Sequence, residues 1–130
     1  MIRISTLLAP PLLAVSLLSV SSLASAQATT DAEAYAPGRP IHAELTLMER
    51  SREGGRHTPI FDHYRPTIAF DGAEPVVCEF FTDISGGHKP GTTGPVRLVC
   101  PVEASVGQNF TAHELGRKVG SGVVLARPEP

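Results

Sequence analysis

The residues able to do chemistry are few and poorly arranged for catalysis: five histidines, two cysteines and thirteen carboxylates in a chain of 130. His42, His57, His63, His88 and His113 lack both the i, i+4 helical spacing and the Cys-x-x-Cys partner that mark a metal site. Only His57 and His63 are close enough in sequence to meet across a loop. Gly86 to Thr93 (GGHKPGTT) matches the outer glycines of a phosphate-binding loop, but Thr92 stands where the phosphate-reaching lysine belongs. No Gly-x-Ser-x-Gly elbow is present, and no carboxylate pair stands out in an apolar setting. The expectation is a protein without catalysis, bound nucleotide, metal or cofactor.

Cys78 and Cys100 remain, and the start of the chain bears on them. Arg3 is followed by an apolar stretch from Leu7 to Leu23, and Ala24-Ser25-Ala26 offers the small-x-small pattern cleaved before Gln27. A membrane span needs about 20 predominantly apolar residues, and here Pro10, Pro11 and a run of serines interrupt the stretch. Residues 1–26 therefore read as a secretory signal peptide, giving a periplasmic or secreted protein. No cysteine at the cleavage point offers a lipid anchor, and no later segment suits membrane insertion. In an oxidising compartment an even cysteine count favours a disulfide between Cys78 and Cys100, adding roughly 3 kcal/mol on the loop-entropy account. Two buried thiols that never meet are the alternative.

The elements that must position these residues read as strands. Twelve glycines, twelve prolines and no tryptophan point to many turns, and 42% hydrophobic residues exclude a wholly disordered chain. A net charge of −2 excludes a global positive field for nucleic acid. Gln27 to Pro40 reads as a flexible lead-in. From Ile41, strict alternation puts Ile41, Ala43, Leu45 and Leu47 on one face of a half-buried strand. Arg50 to Arg56 (RSREGGR) suits an exposed loop. Pro66 to Phe70, Val76 to Phe81 and Val96 to Val102 read as further strands, the last two placing both cysteines on the buried face. Ser85 to Pro95 has the composition of a mobile loop. Gln108 to Glu114 and Arg117 to Leu125 flank Leu115-Gly116, a two-residue hairpin spacing. Asn109-Phe110-Thr111 fits a glycosylation acceptor but falls inside the first of these strands. Six strands in one small domain suggest a barrel or sandwich.

Two stretches are specific. Glu53 to Pro66 (EGGRHTPIFDHYRP) and Phe110 to Val124 (FTAHELGRKVGSGVV) resemble the most recognisable runs of the third, C-terminal β-barrel domain of bacterial elongation factor Tu. The family reads close to EGGRHTPFF followed by YRPQF, and close to FAIREGGRTVGAGVV. Leu98 to Val102 (LVCPV) resembles the family's apolar run into a Pro-containing turn. The resemblance spans residues 41 to about 125 and implies an all-β fold, a six-stranded antiparallel closed barrel. The family domain helps hold the T-stem of aminoacyl-tRNA and contacts the nucleotide exchange factor. By position, Arg65 and Glu114 match family residues near the tRNA.

The departures bear on function. Thr67 stands where the family has Gln, Leu115 replaces the first Gly of a pair, and Cys100 replaces a basic residue. Losing a polar reader, a close-approach glycine and a cation weakens a surface that tracks phosphates through cationic contacts. The expectation is therefore an exported, non-enzymatic module with a protein partner, tRNA being the alternative. Candidate contacts are Arg50, Arg52, Arg56, His57, Arg65, Glu114, Arg117 and Lys118.

Overall fold

The computed structural model describes residues 34–128; the expected leader and residues 27–33 of the expected lead-in lie outside them. The described chain is all-β: β1 (Ala34–Tyr35), β2 (Pro40–Leu47), β3 (Thr67–Phe70), β4 (Val76–Val77), β5 (Glu79–Phe81), β6 (Thr93–Val99), β7 (Ala104–Ser105), β8 (Asn109–Glu114) and β9 (Arg117–Val124). Seven strands form one antiparallel sheet in the order β4-β3-β8-β9-β2-β6-β5, and β1 pairs with β7 in a small second sheet.

The seven strands make six staves. Only Cys78 separates β4 from β5, and the ribbon Val76–Phe81 is bonded along both edges. On one side Ile68 pairs with Val76, and the ladder runs on through Cys78 N–H to Pro66 O (3.0 Å) and Phe80 N–H to Tyr64 O (2.8 Å). On the other, Glu79, Phe80 and Phe81 pair with Val99, Leu98 and Arg97. The two ends of the sheet thus meet on one ribbon, which closes the barrel and removes the edges. The expected barrel is present, with one stave divided at its cysteine. Cys78 and Cys100 form a disulfide across the next register position, with Cα atoms 4.5 Å apart.

Alternation explains the core. Ile41, Ala43, Leu45 and Leu47 of β2 point inward, as do Val96 and Leu98 of β6, and they meet Phe70, Phe80 and Phe110 from the other staves. Phe70 and Phe110 pack edge to face at 5.7 Å. Each large apolar side chain contributes about 2 kcal/mol by leaving water.

Two segments differ from the sequence reading. The expected flexible lead-in is built into the fold from residue 34: Tyr35 is fully buried, its hydroxyl donates to Leu125 O at 2.6 Å, and Gly38 N–H bonds Cys100 O at 2.8 Å. Composition concealed one aromatic anchor. The expected mobile loop from Ser85 to Pro95 contains the fully buried His88, exchanges both backbone hydrogen bonds with Ile60, and joins β6 at Thr93.

The Gly54-Gly55 pair has a steric reason. The loop Glu49–Arg56 folds on itself through Ser51 and Gly54, and Gly55 N–H bonds Lys118 O at 2.9 Å. A Cβ on Gly54 would collide with Lys118 O, and one on Gly55 (φ +83°) with Glu49 O, backbone atoms that cannot swing aside. At the hairpin tip, Gly116 (φ +79°) has open space around it. Gly55→Ala is therefore expected to destabilise by more than 3 kcal/mol, and Gly116→Ala by only about 1 kcal/mol, in chemical denaturation. Equal losses would show that the close approach at Gly55 is not constraining.

Candidate functional site

The closely packed loop delivers Arg56 to a fixed position. Arg56 N–H bonds Met48 O, and its side chain then makes four contacts. Nε donates to Thr58 O (3.2 Å) and Nη2 to Thr58 Oγ1 (3.0 Å); Nη1 donates to Glu114 Oε1; the guanidinium lies 5.0 Å from the Tyr64 ring centroid. Tyr64 donates its hydroxyl to the same Glu114 oxygen at 3.1 Å. Glu114, fifty or more positions away in sequence, thus joins Arg56 and Tyr64 in one partly buried triad of arginine, tyrosine and carboxylate.

The electrostatics follow. Burial pushes the Tyr64 phenol up to about 12, helped by the negative charge of Glu114 and opposed by Arg56. Burial also works to raise Glu114, but the hydrogen bond and charge of Arg56, with smaller help from Tyr64 and Arg117, outweigh it and hold the carboxyl below its ordinary value. Arg56 is therefore largely neutralised within the fold.

Around this triad lie two adjoining open grooves. One, of about 250 Å³, is lined by Arg50, Arg56, His57, Thr58, Glu114 and Arg117. The other, of about 420 Å³, shares Arg50, Arg56 and His57 and adds Glu49, Pro59, Lys89 and Pro90. With Arg56 paired to Glu114, the remaining charges are Arg50, Lys89 and Arg117 against Glu49. Arg117 Nε is buried without a hydrogen-bond partner among the described residues, leaving an unmet donor on a groove-lining side chain. Such a surface forms charge-assisted hydrogen bonds with carboxylate or phosphate oxygens.

The structure brings together five expected residues: Arg50, Arg56, His57, Glu114 and Arg117. Arg52, Arg65 and Lys118 are exposed and line neither groove. Strand alternation explains the last two, since Arg65 follows the inward Tyr64 and Lys118 follows the groove-lining Arg117. His57 and His63 do not pair; His63 Nδ1 meets Glu79 Oε2 at 2.7 Å. Lys89 was not expected. Its signal was the following Pro90-Gly91, which makes the turn closed by Thr92 N–H to Lys89 O (3.2 Å).

The hairpin tip beside the grooves is unusual. Leu115 is 96% exposed and has φ +52°, a conformation that a two-residue turn normally gives to Asn, Asp or Gly. Its neighbours Glu114 and Arg117 both line the smaller groove. No family model matches the chain.

Glu114→Gln tests the triad through pH. A carboxyl depressed in the folded state supports stability above its unfolded value of 4.5, and that support is lost as pH falls through the folded value. The variant is expected to lack this acid-side loss in denaturation curves taken across pH. At the alkaline end, a Tyr64 value near 12 against 10.0 makes stability fall as pH rises across that window. Phenolate absorbance should show Tyr64 titrating at lower pH in Glu114→Gln, because the neighbouring negative charge is gone; an unchanged titration would contradict the coupling.

Proposed function

We propose that this chain is an exported, non-catalytic binding module that engages a protein partner through the grooves of Arg50, His57, Lys89 and Arg117 and the apolar tip Leu115. The scaffold is a barrel resembling the C-terminal domain of elongation factor Tu, working in the periplasm or outside the cell. The disulfide is compatible with such an oxidising compartment. The leader-like residues 1–26 support the same reading.

The observation that carries the proposal is Leu115. An almost fully exposed leucine in the left-handed region costs about 1 kcal/mol of folding stability and gains no burial in return. Beside a cationic groove, a partner with an acidic segment and an apolar recess would cover both features at once. A phosphate backbone would use the cations but gain little from leucine, which favours a protein over tRNA.

Leu115→Asn is expected to raise stability by up to about 1 kcal/mol while weakening partner capture from extracytoplasmic extract. Charge reversal at Arg50 and Lys89, both free of side-chain hydrogen bonds among the described residues, is expected to abolish capture without unfolding the barrel. Salt-sensitive tRNA binding that Leu115→Asn leaves intact would replace this reading with the tRNA alternative. Localisation has its own check. Native protein from fractionated cells should have a mass beginning at Gln27 and gain about 2 Da on reduction of its one disulfide; an uncleaved, reduced cytosolic chain would overturn the exported assignment.

A further inference from the structure

A second basic hollow lies where the two ends of the described chain meet. It measures about 510 Å³ and is lined by Ala34, Ala36, Arg39, Pro40, His42 and Arg127. Among the described residues no carboxylate lines it, although the chain as a whole is net negative. None of its residues belongs to the grooves around Arg56.

The hollow is built rather than incidental. Arg127 Nη2 donates to Ala34 O at 3.2 Å, and its guanidinium lies 4.4 Å from the Tyr35 ring centroid. That ring is itself fixed by burial and by the bond to Leu125 O. The Nε and Nη1 donors of Arg127 have no partner among the described residues. His42, on the outward face of β2, has its ring 6.4 Å from Tyr35, and Leu125 N–H bonds His42 O at 2.8 Å. Arg39 sits at the end of a turn closed by Arg39 N–H to Ala36 O (3.1 Å) and tied to Cys100 O through Gly38 N–H. The Arg39 side chain is exposed and makes no ion pair among the described residues.

We propose that this hollow is a phosphate-binding site. Two guanidinium forks and an imidazole around a floor of alanine, proline and backbone supply donors from several directions, with no competing acid among the described residues. A carboxylate has two oxygens and occupies one fork; a phosphate group has oxygens enough for both forks and the ring. The hollow is larger than a bare phosphate, so it also accommodates a phosphate carried on an ester. Free inorganic phosphate and a phospholipid headgroup share this chemistry.

The test uses protein purified with its own termini. Calorimetry with inorganic phosphate, against chloride at equal ionic strength, reads the free anion; co-sedimentation with phosphatidylglycerol vesicles, against vesicles of a phosphate-free digalactosyl lipid, reads the headgroup. Saturable phosphate binding weakened about tenfold or more by Arg39→Ala supports the site with a free anion as its source. Vesicle binding lost in Arg39→Ala, without free phosphate binding, supports it with a headgroup. Arg127→Ala should lose binding too, but it also releases Ala34, so Arg39→Ala, with melting unchanged in chloride, is the deciding variant. Absence of binding in both arms overturns the proposal. Binding that Arg39→Ala leaves unchanged overturns it equally.

Discussion

A ribbon bonded along both edges is the constraint on which this structure rests. Val76–Phe81 receives the Tyr64–Phe70 segment on one side and β6 on the other, so every stave has two neighbours. Closure fixes the positions of all the loops relative to one another, including those that hold Arg56 and Glu114. The disulfide sits at the division of that ribbon and joins it covalently to the segment after β6. A small domain with no helix among its described residues gains a covalent tie where its sheet would otherwise open.

Much of the barrel was legible because strand patterns are local. The alternation in β2, the buried faces carrying both cysteines, and the two-residue connection at Leu115-Gly116 all follow from neighbours in sequence, and all are found. What escaped was set by single side chains acting at a distance. Tyr35 anchors a segment whose composition reads as linker, by bonding a carbonyl ninety positions away. His88 pins a glycine-rich loop through Ile60, a partner that no periodicity indicates.

The site was legible in the same proportion. The run Gly54-Gly55-Arg56-His57 and the run Glu114 to Arg117 stood out in sequence, and the fold does bring Arg56 onto Glu114. Alternation then divides the expected cations, turning Arg65 and Lys118 away from the grooves while Arg56 spends its charge on an internal pair. The free positive charge comes from Arg50, Arg117 and Lys89, the last supplied by a turn with no sequence link to the other two. The hollow of Arg39, His42 and Arg127 was out of reach of sequence reasoning, because it forms only when the two ends of the barrel segment come together.

That junction has a topological consequence. Arg127 touches Ala34, so the domain leaves the barrel close to where it enters. A unit with adjacent ends can be spliced into a surface loop of a host protein without forcing the host's flanking segments apart. The same adjacency suits circular permutation: a short linker across the ends and a new opening at an exposed hairpin tip would leave the closing ribbon intact. The barrel is thus a portable cassette, and the grooves around Arg56 would travel with it.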